Sequence, residues 1–141
     1  MPPDSSEIDA AIVGVLANDA QLRAIMPDGV YFDEAPPACR NFVIVSLFHS
    51  DDVGFFPGRR GVEDLLYVVK GVAFGTSGAT VKAAAARIDQ LLENATLVVA
   101  GYECMSVARE QRIRYPEVDD VDPSIRWQHR GGHYRVSMAI V

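Results

Sequence analysis

Few residues in this chain have the types and spacing that chemistry needs. His129 and His133 stand four apart, the separation at which two imidazoles share a helix face and can hold a metal. They flank Gly131-Gly132 in a segment that reads as strand, where that spacing loses its meaning, so solvated or interface histidines are expected. Ser46, His49 and Asp51 contain the side chains of a hydrolytic triad. Neighbours along one strand point to alternating faces, and nothing nearby offers a base in reach of the serine or donors for an oxyanion. Gly75-Thr76-Ser77-Gly78 leads towards Lys82 like a phosphate cradle at a helix start. It matches neither GxxxxGK[ST] nor GxGxxG, so capping by Thr76 or Ser77 is the expectation. Cys39 and Cys104 form no CxxC, and the histidines lack finger-like spacing. Reduced thiols, no metal and no cofactor are expected, and with them no enzyme.

Two stretches carry interest of another kind. Glu117, Asp119, Asp120 and Asp122 crowd one connection but lack the glycine and terminal glutamate of a calcium-binding EF-hand loop. They read as a solvated acidic loop or as a purposeful negative surface. The loop from Val53 to Arg60 sets Phe55 and Phe56 among glycine and proline, followed by Arg59 and Arg60. Two adjacent rings in such a loop either fold back onto the core or form an apolar patch that marks a protein contact. In the second case Phe55 or Phe56 is the anchor. Arg59 or Arg60 then pairs with carboxylates of a neighbour, drawn from Asp4, Glu7, Asp9, Asp33 and Glu34.

The elements that must position these residues follow from periodicity. Residues 1–5 read as a loose tail, and Ser6 with Asp9 resembles a capping box. Ile8, Ile12, Val15 and Leu16 recur at helical spacing, Asn18-Asp19 breaks or re-caps the helix, and Leu22 and Ile25 pack from a short second piece before the Pro27-Asp28-Gly29 turn. Val30–Phe32 suits a short edge strand, Phe42–Phe48 a central strand covered on both faces, and residues 49–61 a loop or hairpin tip. Val62–Phe74 is the next strand. Val81, Ala84, Ala85, Ile88, Leu91 and Leu92 line one face of the clearest helix. Two long strands follow, over roughly 102–115 and 125–141, with a bulge expected at Gly131-Gly132 because Trp127 and His129 have the opposite parity to Tyr134, Val136 and Met138. The fold class is α+β: a mostly antiparallel sheet of about four main strands with two helices on one face, in the order α-(β)-β-β-α-β-β.

Composition bounds the rest. A chain of 141 residues with 49% hydrophobic content is expected to form a single domain over 1–141 with a real core, which excludes disorder. No apolar run approaches the ~20 residues of a membrane span, and the opening MPPDSSEIDA lacks the features of a signal peptide. The net charge of −6 argues against a DNA-gripping surface, which is normally basic. Residues 1–64 hold 11 acids and 4 bases, whereas 65–141 hold 8 acids and 9 bases. Eleven of the thirteen bases are arginine, the residue suited to bidentate carboxylate contacts at interfaces. An acidic half of one copy meeting the neutral-to-basic half of the next would use this asymmetry.

The assembled order resembles the tail terminator, or tail completion, proteins of long-tailed bacteriophages and related prophage particles. The likeness runs through the opening helix and LANDAQLRAIMPDGVYFDEAPP, the strand NFVIVSLF and the connection into VEDLLYVVKGVAFG. It continues through the helix ATVKAAAARIDQLL and the closing strands YECMSVAREQRIRY and HYRVSMAIV. The resemblance implies a non-enzymatic virion protein: a homohexameric ring that caps the tail tube and ends its polymerisation. Its partners would be copies of itself, the tail tube protein and the head–tail connector or stopper protein. DNA would pass through without specific binding, and no membrane would be involved. The protein would sit at the head–tail interface of the virion and in the host cytoplasm during assembly. Glu117, Asp119, Asp120 and Asp122 would then line an acidic lumen or an exposed loop. The neighbouring readings are a head-completion or neck ring protein, and a small α+β ligand-binding domain or enzyme.

Overall fold

The computed structural model describes residues 3–54 and 61–141. The first helix, α1 (Ser6–Ala17), buries Ile8, Ile12 and Leu16, the stripe that four-residue spacing dictates. Its start differs from a capping box. Asp4 accepts hydrogen bonds from the backbone N–H and hydroxyl of Ser6 (3.0 and 2.7 Å), and Ser5 donates to Glu63 at 2.7 Å. Asp9 instead turns inward and accepts from the Tyr67 hydroxyl. Asp19 caps the short α2 (Ala20–Ile25), its carboxylate accepting from the Leu22 N–H at 2.9 Å.

Five strands form one sheet: β1 (Val30–Phe32), β2 (Asn41–Val53), β3 (Val62–Phe74), β4 (Tyr102–Val118) and β5 (Arg126–Ile140), in the order β1-β2-β3-β5-β4. The longer helix α3 (Ala79–Leu92) lies between β3 and β4 in sequence. Only the β1–β2 pair is parallel among the described residues; all other neighbours are antiparallel. The helices cover one face. Val43 and Val45 of β2, Leu65, Tyr67 and Val69 of β3, and Tyr134, Val136 and Met138 of β5 meet Ile8, Ile12, Leu16, Val81, Ala84, Ile88 and Leu92 in a single core. Gly71 belongs to that face because a Cβ there would come within 2.8 Å of Met26 and 3.0 Å of Ala84.

Three strand expectations need correction. β2 does not stop at Phe48: it pairs with β3 as far as Val53–Val62, so residues 49–53 are strand rather than loop. Its two-sided burial is confined to Val43–Val45, beyond which Leu47 and Phe48 are exposed. No bulge occurs at Gly131-Gly132, where β5 stays in continuous register with both neighbours. The irregularities sit in the partners, after Leu47 in β2 and twice in β4. The glycines serve close approach: a Cβ on Gly131 would lie 2.0 Å from the Val69 carbonyl oxygen and 2.5 Å from Lys70 Cα. Trp127 and His129 keep their opposite parity simply by facing away from the helices.

Candidate functional site

The sheet face away from the helices carries an aromatic and polar cluster. Trp127 meets Phe74 and Phe42 edge-on, with ring centroids 5.4 and 6.3 Å apart, and Arg40 lies over the Phe74 ring. Tyr115 stacks on His129 at 4.4 Å, and Lys70 donates to the Tyr115 hydroxyl at 2.6 Å. His129 is therefore not a solvated histidine. It is 7% exposed, and its Nε2 lies 2.9 Å from Glu117. Burial, partly offset by Glu117, pushes its pKa below the usual value. With the carboxylate as acceptor, Nε2 carries the ring proton of the neutral form. Nδ1 is then a buried acceptor without a hydrogen-bond partner among the described residues.

The acidic connection is an organised turn. Asp119 accepts from the N–H groups of Asp122 and Val121 (3.0 and 3.1 Å) and from the Trp127 indole (3.3 Å). These bonds hold its carboxyl below the ordinary range, the Asp122 N–H foremost. Asp122 accepts from the hydroxyl and N–H of Ser124. Glu117 is engaged with His129 but its side chain is still 58% exposed. Only Asp120 is left exposed with no hydrogen bond or ion pair among the described residues. No group of three or more His, Cys, Asp or Glu among the described residues is placed to hold a metal ion.

Phe55, Phe56, Arg59 and Arg60 lie outside the described residues. The irregularity after Leu47 brings Ser46 and His49 to one face, contrary to simple alternation. His49 nevertheless meets Asp51 at 3.0 Å and makes no hydrogen bond to Ser46 among the described residues. At the start of α3, Gly78 occupies the cap position and the Ser77 hydroxyl accepts from the Ala79 N–H at 3.3 Å, while Lys82 sits within the helix. Of the acids proposed to meet a neighbour, Asp9 is committed to Tyr67, and desolvation raises its pKa.

A basic groove was not foreseen. It measures about 590 Å³ between α3 and the β4–β5 hairpin and is lined by Lys82, Arg109, Arg112, Arg114 and Arg130, with Asp89 on one wall. Arg112 and Arg114 share a face by strand alternation. The register shift between Arg109 and Gln111 adds Arg109 to the same flank. Asp89 is already engaged by Arg109 at 3.3 Å and by the Tyr134 hydroxyl at 2.9 Å. Among the described residues no carboxylate pairs with Lys82, Arg112, Arg114 or Arg130. The alternating Arg112 and Arg114 were a readable signal; the bulge that recruits Arg109 was not.

The architecture defined by these elements is an α+β sheet layered with helices on one side, and it occurs in solved structures. One chain, from the virion of a native gene transfer agent particle, superposes with a TM-score of 0.64 at 23% identity, covering 94% of this chain and 96% of its own. A second solved chain superposes with a TM-score of 0.57 at 16% identity over 98% of this chain and 96% of its own. These likenesses are of fold. No protein-family model matches the chain, and no curated protein does.

Proposed function

We propose that this chain is a structural protein of a phage-like particle, a tail terminator that forms a hexameric ring on the end of the tail tube. The observation that carries the reading is the superposition, along almost the whole of both chains, on a component of a gene transfer agent virion. The order of elements from α1 to β5 supports it as well. In this role the chain is non-enzymatic: it stops tube polymerisation and offers a docking face to the head-side connector, and DNA passes through the ring. The loop from Val53 to Arg60 contacts a neighbour, with Phe55 or Phe56 as apolar anchor and Arg59 or Arg60 pairing with acids. The connection bearing Glu117, Asp119, Asp120 and Asp122 faces the lumen.

The test is removal of the protein from its particle-producing system, with tails measured by electron microscopy. Tails of uncontrolled length, restored to uniform length by added protein, are the expected result. Tails of normal length that fail to join heads would instead identify a neck or head-completion protein. Unchanged particles would overturn the reading. Native mass spectrometry of the purified protein, alone and on tail tubes, should show six copies per ring.

A further inference from the structure

The strand order leaves two edges with contrasting charge. β4 is bonded only to β5 as a strand. The segment after α3 covers its outer edge at Val107 and Arg109, where the Asn94 N–H donates to the Val107 carbonyl at 2.9 Å and Glu93 accepts from the Arg109 N–H at 2.7 Å. Beyond Arg109 the outer backbone has no partner among the described residues. On the opposite side β1 pairs with β2 at Val43, Ile44 and Val45, which among the described residues leaves the outer backbone of β2 without a strand partner from Leu47 to Val53. Isolated chains usually blunt such edges, since open backbone templates pairing with another chain. Here one edge is a strand of 17 residues flanked by the five-cation groove. The other presents exposed Asp33, Glu34, Asp51 and Asp52.

We propose that the basic β4 edge is the socket for the acidic β1–β2 edge of a second copy of this chain, joined head to tail. Strand directions permit it. β4 is antiparallel to β5, β5 to β3 and β3 to β2, and β1 is parallel to β2, so β4 runs opposite to both strands of the acidic edge. A copy related by rotation about an axis along the strands keeps those directions. Its β1–β2 edge therefore meets β4 in the antiparallel sense, in which open N–H and C=O groups pair directly. Height agrees as well. Following the register across the sheet, Arg112 is level with Gly132, Val69, Val45 and then Phe32, immediately before Asp33 and Glu34. The two patches are unlike, so every copy keeps one of each available, and the contact propagates until it closes. The inference rests on the ring reading and identifies its contact.

The test uses two charge-reversed variants of the full chain, Arg112→Glu with Arg114→Glu, and Glu34→Lys with Asp51→Lys and Asp52→Lys. Asp33 is kept because its φ of +67° suits few other side chains. Assembly is scored by native mass spectrometry and sedimentation, alone and on tail tubes, after circular dichroism shows native folding. Each variant alone should lose assembly at least tenfold, and an equimolar mixture should regain it, because every junction in an alternating ring then joins opposite charges. Folded variants that assemble like the native chain, or a mixture that gives no rescue, would overturn the contact while leaving the ring reading intact. A native chain that never assembles, alone or on tubes, removes the ring reading and this contact with it. A measurement free of substitutions is amide exchange in the native protein: residues 110–114 should gain protection on assembly, and unchanged exchange there defeats the proposal. So does salt-sensitive duplex DNA binding that is lost in Arg112→Glu/Arg114→Glu while assembly persists, since the groove would then serve phosphates.

Discussion

His129 concentrates the polar cost of the open sheet face in one ring. It is sandwiched against Tyr115, bonded through Nε2 to Glu117 and left without a partner at Nδ1 among the described residues. A buried acceptor without a hydrogen bond costs about 1–3 kcal/mol, and protonating it would add a charge where burial and nearby Lys70 oppose one. The folded-state pKa is thus below the unfolded value of about 6.5. Between the two values the unfolded chain binds more protons, so stability rises with pH there. Its contribution is fully present above pH 6.5 and is lost as pH falls through the depressed folded value. The melting temperature should therefore fall on going from pH 7 to pH 5, as the unfolding free energy declines by no more than about 1.4 kcal/mol per pH unit for one proton. In His129→Gln that slope should flatten over the same window. If the native and variant curves run parallel, titration of His129 is not what links stability to pH in this range.

At the scale of elements, Asp19 does two jobs. It caps α2 through the Leu22 N–H, and it receives a fork from Arg87 of α3, with Nε and Nη2 at 2.8 and 2.7 Å. The guanidinium, joined by the Leu22 N–H, draws its carboxyl pKa down to about 2. One side chain thereby ties a six-residue helix, too short to persist alone, to the fourteen-residue α3. Arg87→Ala should remove the tie and an exposed hydrogen bond to Gln90, whereas Asp19→Ala removes tie and cap, so its loss of melting temperature should be the larger. Equal losses would show that the cap contributes nothing. Because the folded pKa is depressed, this stabilisation is present above pH 3.8 and lost as pH falls towards 2. Asp19 as breaker and re-cap was legible, as were β3 over Val62–Phe74 and the buried stripe of α3, because each follows from local spacing or chemistry. The extension of β2 and the register shifts in β4 were not. Ser50, Asp51 and Asp52 have polar side chains, and only pairing with β3 makes them strand. Likewise Gly131-Gly132 announced a special position without revealing that the close approach comes from Val69 and Lys70 at Gly131 and from Gln111 and Arg109 at Gly132.

Across the whole molecule, the imbalance of charge between the two halves of the sequence becomes a separation in space. The acids of residues 33–52 lie on one edge of the sheet and the arginines of β4 on the other, a relation that only strand order creates. The sequence could show the imbalance and the surplus of arginine, but not that the acidic connection is spent mostly on its own turn. Asp119 and Asp122 organise that turn and Glu117 holds His129, so altering them would confuse charge with folding. Asp120 is exposed and tied to nothing among the described residues, which makes it the clean probe of the proposed lumen. A surface change away from packing and caps leaves stability nearly untouched, so Asp120→Arg should melt within about 2 °C of the native chain and assemble as it does. In the proposed hexamer six copies at −6 give a formal −36, and each substitution shifts the charge by +2 where passing phosphates would feel it most. Field focusing in a narrow channel magnifies such a change. Assembled Asp120→Arg rings should retain duplex DNA at low salt, release it as salt rises, and lower the yield of infectious or transducing particles. Native rings should retain none. If Asp120→Arg rings form normally, bind no more DNA than native rings and support the same particle yield, the acidic connection faces outward rather than into the channel.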